Sequence, residues 1–267
     1  MGHSFNRFGH RIYLLCAAGA TVLALVLRTL ALFFELDSIG YLNGTLSTLT
    51  TVVQVIALIG CIVYPFLIKK DTLPASAAPV GMGRIFCALS ALVLAVAAVL
   101  LIANLSAIEQ KLLVIPAVLA LFCGVAYFLL RFLGYEGAYA LFGFGIILGA
   151  VLLISLTYFD LFTPMNAPRK TSLHLCLLAT MLYLLYELRA AVSTPMPRVQ
   201  LAACSICFLL VLSNSGSNLI YALTHETAAI YLAGDLVTLA VALFAAVRLV
   251  DPLLSPAQNT NGEESDA

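Results

Sequence analysis

Eight long apolar segments recur along the chain, and they constrain its fold more than any other feature of the sequence. They lie near residues 12–34, 45–68, 85–103, 112–131, 138–159, 172–191, 199–221 and 228–248. A helix rises about 1.5 Å per residue, so each segment can cross a hydrocarbon core of about 30 Å. The pattern predicts an all-α, polytopic bundle of transmembrane helices. Residues 1–250 are expected to form one domain, and residues 251–267 a short polar, disordered tail.

The composition excludes a soluble fold. Hydrophobic residues make up 63% of the 267 residues and charged residues 10%, whereas soluble domains carry roughly 25% charged residues. The formal net charge is zero, and no basic patch indicates a nucleic-acid partner. Arg7 and Arg11 precede the first segment, but no small-residue cleavage site follows it. We therefore expect the first segment to be an uncleaved helix.

Lys and Arg in short loops stay on the cytoplasmic side of a membrane and so predict orientation. If the N-terminus is inside, nine of these residues fall on the inner side: Arg7, Arg11, Lys69, Lys70, Arg84, Arg131, Arg189, Arg198 and Arg248. Three fall on the outer side: Lys111, Arg169 and Lys170. Both termini are therefore predicted to be cytoplasmic, and the short loops fit a bacterial-type cell membrane. The loop that carries Arg169 and Lys170 runs against this bias.

Two opposite charges lie at a similar depth in the predicted outer half. Arg28 is about 9 Å from the outer end of the first helix, and Asp235 about 10 Å from the outer end of the eighth. Charges at membrane depth are costly and mark candidate functional sites. Helical side chains lean toward the N-terminus of their own helix. Arg28 therefore leans away from the nearer water and from Glu35, and the expected partner is Asp235.

Neutral polar residues accompany these charges on two further helices. Ser47, Thr50, Thr51 and Gln54 follow helical spacing in the second segment, as do Asn214, Ser217, Asn218 and Tyr221 in the seventh. Each set lines one helix face. The hypothesis is an outward-facing polar pocket walled by helices one, two, seven and eight. Its candidate residues are Arg28, Asp235, Asn214, Asn218, Gln54, Thr50 and Ser217.

The same polar residues have a structural interpretation. Arg28 and Asp235 can form a buried ion pair that docks the first helix on the eighth, while the Ser, Thr and Asn side chains bond between helices. The run 213–218 permits either close helix packing or local unwinding at a binding site. On the predicted inner side, Glu187 and Arg189 are interpreted as interfacial anchors, as are Arg131 and Glu136.

Recognisable catalytic motifs are absent from the sequence. It contains no HExxH metalloprotease helix and no GxSxG nucleophile elbow. We therefore expect no catalytic, cofactor or metal site, and the expected partners are the lipid bilayer and a small-molecule ligand or another membrane protein. Two functions stay open: binding or transport of a small solute through the polar pocket, and a non-catalytic scaffold or sensor subunit of a larger complex. The predicted inner halves hold few polar groups, which weighs against an alternating-access carrier.

Overall fold

The computed structural model describes residues 7–37, 40–67, 82–134, 139–164, 166–193 and 196–254. Within these ranges the chain forms eight α-helices and no strand longer than one bridge. The helices are α1 (Arg7–Phe34), α2 (Thr45–Leu67), α3 (Met82–Ala103), α4 (Lys111–Leu133), α5 (Tyr139–Tyr158), α6 (Pro168–Val192), α7 (Pro197–Ala222) and α8 (Ala229–Leu254). The predicted all-α fold is confirmed.

Each of the eight helices is long and apolar enough to cross a membrane. The protein is therefore an integral, multi-pass membrane protein. Three predicted boundaries differ from the structure by four residues or more. Helix α1 begins at Arg7 rather than near residue 12. Helix α6 begins at Pro168 rather than near residue 172, and α8 continues to Leu254, so the first four residues of the predicted tail are helical. The rest of that tail, residues 255–267, lies outside the described residues, as does Glu136.

Contacts between distant helix ends define two faces of the bundle. The His10 ring lies 3.2 Å from the carbonyl oxygen of Leu249, so α1 begins where α8 ends. We call this side the terminal face, which corresponds to the predicted cytoplasmic side. The other side is the opposite face, where α1 and α7 end and where α2, α6 and α8 begin.

Helix α8 is the most buried helix, and it packs against α1, α3, α5, α6 and α7. Helices α1 and α2 are the least buried, and they pack as a hairpin mainly against α7. The α4–α5 pair approaches closely because of glycine: a Cβ added to Gly145 would clash with the Cβ of Cys123. Small residues permit such close backbone approach in membranes, where packing drives helix association.

Candidate functional site

The structure accounts for the two basic residues that ran against the orientation bias. Both belong to the first turn of α6, which starts at Pro168, a residue suited to the first helical position because it needs no N–H partner there. The Lys170 ammonium is buried and donates to the carbonyl oxygens of Tyr158, Asp160 and Thr163, at 3.3, 3.0 and 3.3 Å. Lys170 thus bonds to the last residue of α5 and to the loop that follows it.

Arg169 points toward α8 instead. Its Nη1 donates to the Thr227 hydroxyl at 3.2 Å, and its Nη2 lies 3.8 Å from Oδ2 of Asp235. The guanidinium also lies over the Tyr231 ring, 5.5 Å from the ring centroid, a cation–π contact. Arg169 is not among the candidate site residues that the sequence predicts. The one available signal was its position on the wrong side of the charge bias.

Asp235 is fully buried on α8 and has partners on two other helices. Besides Arg169, the Asn218 side-chain amide of α7 donates to Oδ1 at 3.3 Å. Oδ2 accepts no hydrogen bond from the described residues. The carboxylate is therefore held from one side and retains an acceptor atom without a donor.

Arg28 is buried on α1 with 8% of its surface exposed, and it makes no ion pair with any residue in the described ranges. The predicted Arg28–Asp235 ion pair is therefore not formed at bonding distance, because Asp235 pairs with Arg169. Arg28 stays within electrostatic range of Asp235 and Cys176. Its Nε and Nη2 have no hydrogen-bond partner among the described residues. Glu35 is engaged elsewhere, since its carboxylate accepts from the N–H groups of Leu46 and Ser47, at 2.8 Å each.

Arg28, Arg169, Asn218 and Asp235 form what we call the arginine–aspartate cluster. An aromatic group lies between this cluster and the opposite face. Tyr221 stacks on His225 with ring centroids 4.0 Å apart, and Phe33 packs edge-on against both rings. Phe33 follows Arg28 on α1, and Tyr221 follows Asn218 on α7. These rings therefore lie nearer the opposite face than the cluster does.

The other predicted pocket residues bond within the bundle. Gln54 donates to the Ser213 hydroxyl at 2.9 Å and lies 3.4 Å from Oδ1 of Asn214, which links α2 to α7. Thr50 and Ser217 each donate to a carbonyl of their own helix. Helix α7 is continuous through residues 213–218, so the suggested unwinding is not observed. A Cβ added to Gly216 would lie 3.2 Å from Leu25 of α1, which supports close packing.

A second charge cluster lies near the terminal face. Glu187 of α6 is buried and accepts from Arg248 of α8 at 2.6 Å and from Gln200 of α7 at 2.7 Å. Arg131 of α4 lies 3.4 Å from the same carboxylate. We call Arg131, Glu187, Gln200 and Arg248 the glutamate cluster. The interpretation of Glu187 and Arg131 as interfacial anchors was wrong, because both side chains face the bundle interior and pair across helices.

The described residues contain no group of three or more His, Cys, Asp or Glu side chains placed to hold a metal ion. What the arginine–aspartate cluster offers is positive charge and hydrogen-bond donors in a region of low dielectric. Comparison of the chain with protein-family models, curated proteins and solved structures found no match.

Proposed function

We propose that the protein binds a small anionic solute at the arginine–aspartate cluster. The observation that carries this proposal is the buried Arg28 guanidinium, whose Nε and Nη2 have no hydrogen-bond partner. A charge at membrane depth costs about 2.5–3.5 kcal/mol even on the mildest scale. An anion at this position would pair with Arg28 and supply the missing acceptors.

The neighbouring residues suit this role. Asp235 is held by contacts with Arg169 of α6 and Asn218 of α7, so its carboxylate has a fixed position in the cluster. Arg169 adds a second guanidinium, with Nε and Nη2 that also lack hydrogen bonds. Because buried electrostatic interactions are little screened by water, few charged contacts suffice to bind a small ion.

The layer beneath the cluster favours binding over open passage. Leu177 of α6, Leu209 of α7 and Val241 of α8 lie midway between the two charge clusters along their helices, and all three are buried. Apolar side chains thus close the interior between the opposite and terminal faces. This arrangement supports a binding or sensing protein, and a transport cycle would need these helices to move apart.

Thermal unfolding of the detergent-purified protein tests the proposal. Chloride, acetate and inorganic phosphate are added separately to the wild type, to Arg28→Met and to Arg189→Met. Arg189 is an exposed arginine outside both clusters, so its substitution is the matched control. A ligand that binds only the folded state raises the unfolding temperature as its concentration exceeds Kd.

The expected result is that at least one of the anions stabilises the wild type and Arg189→Met but not Arg28→Met. Equal stabilisation of all three proteins, or stabilisation by none of the anions, would contradict the proposal. Comparison of the three proteins at one ionic strength separates binding from a general salt effect, because screening acts on every variant alike.

A further inference from the structure

The two arginines of the arginine–aspartate cluster lack hydrogen bonds at the same pair of atoms. In both Arg28 and Arg169, Nε and Nη2 are buried and donate no hydrogen bond to the described residues. These two nitrogens lie on one edge of the planar guanidinium, and their N–H bonds point the same way. Such an edge matches the two oxygens of a carboxylate, which accept the parallel bonds together.

The charge of the cluster limits the charge of the solute. Two guanidinium groups and the Asp235 carboxylate leave one net positive charge when Asp235 is ionised beside Arg169. A monoanion neutralises this charge, whereas a dianion leaves an uncompensated negative charge in a region of low dielectric. A phosphate monoester carries about −1.5 to −2 at neutral pH, so a monocarboxylate fits the cluster better.

Asp235 needs a hydrogen-bond donor, whereas the two arginines need acceptors. Its Oδ2 is buried and accepts no hydrogen bond, and Nη2 of Arg169 lies too far away, at 3.8 Å, to donate one. A buried acceptor without a donor is costly. A solute that carries a donor near its carboxylate can satisfy Oδ2 while its carboxylate pairs with a guanidinium edge.

We infer that the cluster binds a small monocarboxylate that also carries an uncharged hydrogen-bond donor, as a hydroxy acid does. This inference rests on the proposed function and narrows its solute to one chemical class. The carboxylate pairs with the Nε and Nη2 edge of Arg28, and the donor bonds to Oδ2 of Asp235. An amino acid is disfavoured, because its ammonium group would leave the net charge of the cluster unchanged.

Isothermal titration of the detergent-purified wild type with a matched series of probes tests this inference. Lactate has both the carboxylate and the hydroxyl, propionate lacks the hydroxyl, lactamide lacks the charge, and malonate carries a second charge. We expect lactate to bind more tightly than propionate by roughly tenfold to a hundredfold, the range for a hydrogen bond to a charged group. Malonate should bind more weakly than lactate, and lactamide should give no binding.

Asp235→Asn provides the second comparison. It raises the net charge of the cluster by one and removes the charged acceptor, so the preference for lactate over propionate should disappear and malonate should gain relative to lactate. Asp37→Asn alters an exposed carboxylate outside the cluster and should leave the order of the four probes unchanged. The wild-type series decides the question even where Asp235→Asn does not fold.

Equal affinity for lactate and propionate, or tighter binding of malonate or inorganic phosphate than of lactate, would overturn this inference. The proposed function would survive either result, provided that Arg28→Met still removes the anion binding. If no anion binds in a manner that depends on Arg28, both proposals fail.

Discussion

The two charge clusters have the same components, one carboxylate and two arginines, but they differ in how many ion pairs and hydrogen bonds join these groups. Helices α6 and α8 supply a charge pair to each cluster with reversed polarity: Arg169 with Asp235 near the opposite face, and Glu187 with Arg248 near the terminal face. Along α8 the two levels are thirteen residues apart, or about 20 Å.

In the glutamate cluster the carboxylate is saturated. Arg248 reaches Glu187 at 2.6 Å, Gln200 donates at 2.7 Å, and Arg131 completes the group while its guanidinium lies 4.6 Å from the centroid of the Tyr139 ring. In the arginine–aspartate cluster the closest ion pair measures 3.8 Å, and Arg28 has none. Nε of Arg131 also lacks a hydrogen-bond partner among the described residues, so an unpaired buried donor occurs in both clusters. The difference lies in the ion pairs: both arginines of the glutamate cluster pair with Glu187, whereas Arg28 pairs with no carboxylate in the described ranges.

The largest expected effect is a difference in the free energy of unfolding between two variants, each of which lacks one arginine of one cluster. Arg248→Met should destabilise the fold by about 3–5 kcal/mol, the usual cost of leaving a buried carboxylate short of a partner. Arg28→Met should leave stability unchanged or raise it by up to about 3 kcal/mol, because it removes a buried charge that makes no ion pair with the described residues. Reversible unfolding of both variants in mixed micelles gives the two free energies directly.

If both variants lost a similar free energy of unfolding, the contrast would fail and Arg28 would be a residue that stabilises the fold. Arg189→Met serves again as the control, since its exposed side chain should contribute little. Measurements need to be made without added small anions, because a bound anion would stabilise the wild type and mask a gain in Arg28→Met.

A second test asks whether the remaining buried cation near the opposite face belongs to the arginine–aspartate cluster. Lys170→Met should destabilise the protein by about 1–3 kcal/mol, because three carbonyl oxygens at the end of α5 lose their buried donor. Anion binding should persist, since Lys170 bonds to backbone rather than to Arg28 or Asp235. Amide hydrogen exchange should rise locally, in residues 156–163.

Lys111→Met is the matched control for this test. It removes an exposed lysine at the same face and should change neither stability nor exchange. If Lys170→Met abolished anion binding while the end of α5 stayed protected, Lys170 would have to be counted as part of the solute site and the cluster would carry two net positive charges.

The sequence predicted the spans because a bilayer admits few other structures, and it predicted the importance of Arg28 and Asp235 because charge at depth is costly. It placed Arg169 in a loop, since two adjacent charges after Pro168 resemble a helix boundary. It took Glu187 for an interfacial residue because a charge near a helix end usually faces the headgroups. Whether such a charge faces the headgroups or the bundle interior depends on the residue with which it pairs. Arg248, 61 positions away, pairs with Glu187 because α6 packs against α8, and a single sequence does not reveal that packing.

The smallest expected effect concerns the polar stripe that α2 shares with α7. Gln54→Leu removes the bonds to Ser213 and Asn214 and should cost about 0.6 kcal/mol, the average for an interhelical hydrogen bond in a membrane. Its affinity for anions should equal that of the wild type, because Gln54 bonds to neither Arg28 nor Asp235. Thr51→Val is the control, because Thr51 is exposed on the same helix and its hydroxyl bonds to the backbone of that helix.

A large loss of anion affinity in Gln54→Leu alone would extend the binding site onto α2 and restore the wider pocket that the sequence predicts. An unchanged affinity would confine the site to the four residues of the arginine–aspartate cluster and leave the stripe as a helix contact.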